Sequence, residues 1–285
     1  MPRKAIRSLT PLIAPAFTED EIEFYKWLAG FIDGDGHFMI SREGYVHLKI
    51  PQASWNLHLL QLLKQKLTGN IYKREGNTYV YYLWARDKLI PVIHGLNGYI
   101  RAHSRTIQFR ALCEHYNIIY IKPKKLTPED PYFAGMFDAD GSAVLTNNVT
   151  PRLVLTVSAK YKVDLECFFE TFGGNILPRR EGNCHDWAIG SQDEVLFAQK
   201  CFGKNLKSNK LIRFNLISLL YELRTARAYK NSSYLHGDWK LFIESWYDNG
   251  ADIYRKKCKG IPFTKKAREK RELENSLTST NNDQT

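Results

Sequence analysis

Cysteine is scarce in this chain of 285 residues, and its spacing suits no metal or disulfide chemistry. The five present are Cys113, Cys167, Cys184, Cys201 and Cys258, an odd number, with no two separated by two or three residues. That excludes a disulfide framework and a zinc ribbon, so they read as packing thiols. Long apolar runs are missing too: no membrane span is expected, and prolines in "MPRKAIRSLTPLIAPAF" interrupt any signal-peptide core. The same stretch lacks acids, as transit peptides do, but its prolines favour a flexible arm over residues 1–17. Acids are outnumbered throughout, with Lys and Arg totalling 41 against 30 Asp and Glu, a formal net charge of +11. A polyanion is the natural partner for that balance, although the excess is spread along the chain and would equally suit a merely basic protein.

What is present is a long repeat. Residues 28–36 read "LAGFIDGDG" and residues 133–141 read "FAGMFDADG". Setting Asp35 on Asp140 gives an offset of 140 − 35 = 105, which also carries "TGNI" (68–71) onto "GGNI" (173–176), Gly98 onto Gly203 and Phe109 onto Phe214. One inserted residue brings "REGN" at 74–77 onto "REGN" at 180–183. A period of this size is a whole domain, so two similar halves about a pseudo-two-fold axis are expected. With 44% hydrophobic residues, the chain can fill their cores.

Each half reads α-β-β-α-β-β-α-α. A capped helix opens it, Thr18 with Glu21 in the first half and Thr127 with Asp130 in the second, and runs into the nonapeptide. In "YVHLKI" (45–50), Tyr45, His47 and Lys49 alternate with Val46, Leu48 and Ile50; in "RLVLTV" (152–157), Arg152, Val154 and Thr156 alternate with Leu153, Leu155 and Val157. Both are strands with one core face and one wet face. Leu59, Leu60, Leu63 and Leu67 follow at helical spacing, and a Gly-Asn hairpin joins "NIYKR" to "TYVYYLW". The chain therefore divides into the arm (1–17), a first half (18–120), a proline-broken linker (121–131), a second half (132–254) and a basic tail (255–285). The tail ends in "NSLTSTNNDQT", has no apolar period and is expected to be disordered. The sixteen tyrosines read as core and sheet residues, not stacking platforms.

On a helix, Gly30 and Gly34 share a face, as do Gly135 and Ala139, and such small residues let two backbones approach closely. The nonapeptide is thus first an interface between its two copies. Gly36 and Gly141 read as left-handed stops just past a helix end, placing Asp35 and Asp140 at the C-caps. A carboxylate there opposes the helix dipole at a cost of about 0.3–1 kcal/mol. Two such ends side by side call for hard divalent cations with oxygen ligands. Asp33 and Asp138 lie about 200° away around the helix and are assigned to local hydrogen bonding. The plain alternative makes all four aspartates turn formers.

At these residues the sequence resembles the LAGLIDADG homing endonucleases, in the single-chain form with two pseudo-symmetric halves. The likeness runs from about Phe17 to Tyr247. The first motif departs from the family word at Phe31 and Gly34, the second at Phe133, Met136 and Phe137, and both final aspartates are intact. The resemblance implies an α+β fold of two αββαββα halves packed through paired motif helices, with a saddle of antiparallel strands in the major groove of double-stranded DNA. It implies Mg²⁺-dependent double-strand cleavage, with the ion held by Asp35, Asp140 and the carbonyls of Gly34 and Ala139, and with Mn²⁺ or Ca²⁺ able to substitute in binding. Metal ions between two carboxylates can activate water and stabilise the leaving oxygen. Basic helpers would come from Lys207, Lys210, Arg101 and Arg105, and a polar one from Gln52, whose partner at the repeat offset is Val157.

For DNA contact the wet faces and hairpins nominate His37, Met39, Ser41, Tyr45, His47, Lys49, Lys73 and Arg74 in the first half. The second nominates Ser142, Thr146, Arg152, Thr156, Arg179 and Arg180. Because the halves differ at these positions, an asymmetric target and a monomeric protein are expected. The same fold also serves RNA-binding intron maturases acting on their own intron, and non-catalytic DNA-binding regulators; intact Asp35 and Asp140 argue against the latter. An intein is disfavoured, since the chain starts at Met1 and ends "NNDQT" without the splicing residues. An organelle, mitochondrion or chloroplast, is expected by resemblance alone.

Overall fold

Thr18 starts the first helix, α1 (Glu19–Asp35), through a capping box: its side chain accepts from the Glu21 amide while the Glu21 carboxylate accepts from the Thr18 amide at 2.9 Å. The computed structural model describes residues 15–146, 149–179 and 182–247. After α1 come β1 (His37–Ile40), β2 (Val46–Ala53), α2 (Leu57–Leu67), β3 (Asn70–Lys73), β4 (Thr78–Leu83), α3 (Arg86–Leu96) and α4 (His103–Tyr116). The order repeats as α5 (Pro131–Asp140), β5 (Gly141–Thr146), β6 (Arg152–Ala159), α6 (Glu166–Phe172), β7 (Asn175–Pro178), β8 (His185–Ile189), α7 (Gln192–Phe202) and α8 (Lys210–Thr225). The second helix cap differs from the expectation. Asp130 caps α5 by accepting from the Tyr132 amide, and Pro131 fills the first turn, where a missing N–H costs nothing.

Each half carries one antiparallel sheet, in the orders β1-β2-β4-β3 and β5-β6-β8-β7. The strand alternation holds: Val46, Leu48 and Ile50 are buried in β2, and Leu153, Leu155 and Val157 in β6. Leu59, Leu60, Leu63 and Leu67 bury one face of α2. Leu48 lies opposite Leu83 and Leu155 opposite Ile189, so here the halves correspond at 155 − 48 = 107. The sheet counterpart of Gln52 is therefore Ala159, because the β5–β6 ladder runs one residue pair further, to Thr146 opposite Arg152, than the β1–β2 ladder, which ends at Ile40 opposite Val46.

The described chain forms two compact units, one up to Thr225 and one from Ala226. In the second, α9 (His236–Tyr247) buries Trp239, Phe242 and Trp246, with the first two rings stacked at 5.3 Å. Most of the arm and the whole tail, including Cys258, lie outside the described residues.

Candidate active site at the paired helices

The two nonapeptides meet through glycine. A Cβ on Gly30 would overlap the Tyr132 carbonyl oxygen, and one on Gly135 would overlap the Trp27 carbonyl oxygen. Backbone touches backbone at both points, since 27 + 105 = 132. Toward the helix ends, a Cβ on Gly34 would overlap that of Ala139 and lie 2.9 Å from an Asp140 carboxylate oxygen. Close packing therefore brings Asp35 and Asp140 together at the C-terminal ends of α1 and α5. The expected left-handed stops are absent. Gly36 (φ −80°) and Gly141 (φ −78°) are extended, because the chain passes directly into β1 and β5. They are glycine for space: a Cβ would sit 2.7 Å from the Ile32 Cα in one case and overlap the Phe137 ring in the other.

Asp33 and Asp138 do not bond locally. Asp33 accepts from the amides of Arg101 (2.8 Å) and Ala102 (3.0 Å), just before α4, and from the Tyr132 hydroxyl of the other half (2.7 Å). Asp138 mirrors it, accepting from the amides of Lys207 (2.8 Å) and Ser208 (3.0 Å) and from the Trp27 indole (2.9 Å). Each carboxylate thus ties the start of α4 or α8 in its own half to the other half's motif helix. Burial pushes the Asp33 pKa up to about 6, against the pull of these donors.

The last turns of α1 and α5 contain no cation to offset their dipoles. The cations come from α4 and α8. The half-buried Lys210 ammonium donates to the carbonyls of Phe137 (2.9 Å), Asp138 (2.8 Å) and Ala139 (2.9 Å). Arg105 reaches the carbonyl of Ile32 at 3.3 Å and that of Gly34 at 3.5 Å. Burial lowers the Lys210 pKa, while Asp138, Asp35 and Asp140 hold it up. Burial raises Asp35, against donation from Gln52 and the charges of Lys210 and Arg105. Asp140 is pushed up to about 6, first by burial and then by the Asp35 charge beside it. Asn56 in turn donates to Gln52 at 3.0 Å, fixing its amide.

Two half-buried carboxylates with raised pKa values, flanked by main-chain carbonyls, form a hard-oxygen donor set that fits a Mg²⁺-like ion. Gly34 keeps the space between them open. Among the described residues no three His, Cys, Asp or Glu side chains gather, so other ligands would be carbonyls, water or phosphate. The remaining two basic candidates are engaged elsewhere. The Arg101 guanidinium donates to the Lys124 carbonyl and lies 5.3 Å from the Tyr132 ring, and the Lys207 ammonium lies 5.4 Å from the Trp27 ring.

On the sheets, His37 pairs with Lys49, Met39 with His47, Ser142 with Thr156 and Thr146 with Arg152, all on the faces away from the core. Ser41 and Tyr45 close the β1–β2 turn, Lys73 ends β3 and Arg74 follows it. Arg179 is tied by its guanidinium to Asp186 at 2.9 Å, and Arg180 lies outside the described residues. Sequence reasoning missed Tyr72, Tyr82 and Trp84, which stand on the same wet face. The period-2 alternation of "TYVYYLW" could have found Tyr82 and Trp84; Tyr72 needs the strand register.

A duplicated α+β unit with paired carboxylates at the ends of two tightly packed helices defines a two-half nuclease-like architecture. Residues 28–116 match the model of the LAGLIDADG endonuclease family. An intron-encoded DNA endonuclease, ai2a, of Dictyostelium discoideum is 30% identical over 78% of this chain and 74% of its own length. The chain belongs to the LAGLIDADG endonuclease family. An intron-encoded RNA maturase, bI4, of Saccharomyces cerevisiae is 31% identical over 82% of this chain, which spans 38% of that protein's length. Among solved structures, the LAGLIDADG homing endonuclease I-LtrWI bound to target DNA superposes with a TM-score of 0.62 over 80% of this chain and 99% of its own, at 14% identity.

Proposed function

We propose that this chain is a site-specific DNA endonuclease that makes a metal-dependent double-strand break at a long asymmetric target, promoting intron homing. The observation that carries the reading is the convergence of Asp35 and Asp140, two half-buried carboxylates that burial holds above the ordinary carboxylate range, the Asp35 charge adding to the rise at Asp140. Such an arrangement costs stability and makes sense as a cation-binding device.

Asp35, Asp140 and the carbonyls of Gly34 and Ala139 would hold the ion. A bound Mg²⁺ supplies an activated water and offsets charge on the leaving oxygen. Gln52, braced by Asn56, fixes the Asp35 carboxylate. Lys210 and Arg105 hold the last carbonyls of the two helices and set positive charge beside the scissile phosphates. The wet faces of the two sheets supply the major-groove contacts. A monomer in an organelle belongs to the same reading, because the duplication already provides both half-sites. No helix among the described residues is long and apolar enough to cross a membrane.

The 31% identity to an RNA maturase supports a second reading, in which the chain binds its own intron RNA, alone or in addition to cutting DNA. The test is cleavage of a randomised duplex library with Mg²⁺ by wild type, Asp35→Asn and Asp140→Asn. Enrichment of one long asymmetric site with cut ends, bound but uncut by each mutant, is expected. Binding without cutting in Mg²⁺ or Mn²⁺ would overturn the nuclease reading in favour of the maturase.

A further inference from the structure

The wet face of the first sheet carries a group of rings that the second lacks. Tyr72, Tyr82, Trp84 and His47 stand side by side: Tyr82 lies 5.9 Å from Tyr72, 6.3 Å from Trp84 and 6.2 Å from His47, and Tyr72 and Trp84 stack at 6.2 Å with 22° between their planes. With Arg74 these rings line an open pocket of about 530 Å³. Tyr72 is 43% exposed and Trp84 48%, so much of this ring surface faces solvent. Exposed rings forfeit burial that a polar side chain would not, and contiguous ones mark binding sites.

Two cations sit on the shelf. The Arg74 guanidinium lies 5.7 Å from the Tyr82 ring and donates to its hydroxyl at 3.2 Å, and the Lys49 ammonium lies 6.0 Å from the same ring. Among the described residues, neither forms an ion pair with a carboxylate.

The fold does not require this shelf. Asn70 lies opposite Tyr82 as Asn175 lies opposite Ala188, so the second sheet places Ala188 where the first has Tyr82, Leu177 for Tyr72, Val154 for His47 and Gly190 for Trp84. Its arginine, Arg179, is held by Asp186 instead of lying on a ring. In a duplex, bases show only their edges to a protein, their faces being stacked on one another. Exposed ring faces beside free cations match the face and phosphate of a base that is not stacked.

We propose that this shelf binds an unpaired nucleobase of a single-stranded nucleic acid, stacked on Tyr72 and Trp84 with the adjoining phosphate on Arg74 and Lys49. The site goes beyond duplex cleavage and needs no metal. RNA loops and displaced DNA strands offer the same chemistry, so both belong in the test.

The experiment measures binding of about ten-nucleotide single-stranded RNA and DNA to the full chain in EDTA, by anisotropy of a labelled oligonucleotide and by tryptophan fluorescence. Quenching in wild type is expected, and Trp84→Phe should abolish it while retaining most of the affinity, which assigns the signal. Tyr72→Ala should weaken binding about tenfold, Tyr72→Phe should restore it, and Leu177→Ala at the matching place in the other half should change nothing. Tighter RNA than DNA identifies a reader of the 2′-hydroxyl, and equal affinities identify a reader of the base alone; both support the shelf. Absence of single-strand binding in wild type overturns the proposal. So does a Tyr72→Ala effect as large on duplex as on single strand, because the rings then read groove edges. Asp35→Asn should bind single strands as wild type does, which separates this outcome from failure of the nuclease reading.

Discussion

Asp140 is held in a place that disfavours its charge, and the direction of that shift fixes a pH dependence. Its pKa rises from an ordinary 3.8 to about 6 in the folded chain. A carboxyl that holds its proton more tightly when folded stabilises the fold below the unfolded value, and this contribution is lost as pH rises through the folded value. At pH 7.5 without metal the ionised group is therefore a burden on the order of 3 kcal/mol. Unlike Asp35, it accepts no hydrogen bond among the described residues, so amide replacement removes the charge and little else. Asp140→Asn should raise Tm in EDTA at pH 7.5 by about 5 °C, with the gain shrinking to nothing near pH 4. Mg²⁺ should raise the Tm of wild type at pH 7.5 and leave that of the variant nearly unmoved. A wild type more stable than the variant in EDTA at pH 7.5 would contradict the burial argument.

At the level of elements, the two motif helices meet where only hydrogen fits. A Cβ on Gly135 would overlap the Trp27 carbonyl oxygen and lie 2.8 Å from the Phe31 amide nitrogen, all rigid backbone. Gly135→Ala should gain helix propensity of about 1 kcal/mol yet lose about 3 kcal/mol net in urea unfolding, since α1 and α5 must separate. Gly237→Ala in α9, with nothing within 4 Å of its new methyl group, should be neutral or slightly stabilising. Equal tolerance of both changes would mean that the helix contact is looser than described. This contact was legible in the sequence, because glycine spacing on a helix face is a local pattern. The partners of Asp33 and Asp138 were not. Their amide donors lie some 70 residues away, just before α4 and α8, and periodicity carries no information about which loop folds back onto which helix. The extended conformation of Gly36 and Gly141 was misread for a related reason: a glycine just past a helix end suggests a left-handed stop, whereas here tertiary crowding at Ile32 and Phe137 selects glycine.

For the molecule as a whole, the duplication and the inequality of its halves could both be read from an offset near 105, but which residues correspond across the sheets emerged only from strand register. Register sets Gln52 of the first half against Ala159 of the second and the ring shelf against Leu177 and Ala188, while the plain offset of 105 sets Lys210 against Arg105. Two halves that share a backbone but not a wet face should prefer two unrelated half-sites, which separates this chain from a symmetric dimer reading a palindrome. Once the enriched target is known, each half-site can be duplicated into its own palindrome. Each mismatched pair in a specific site costs about 1–3 kcal/mol, so a palindrome presenting several wrong pairs to one sheet should bind at least about a hundredfold more weakly than the natural target. The loss should differ between the two palindromes, because Arg74 has only a neutral ring and hydroxyl to leave, whereas Arg179 must first leave the Asp186 carboxylate. Binding of either palindrome as tightly as the natural site would show that one sheet supplies nearly all the recognition, with the other half serving chiefly to bring the second aspartate to the cut.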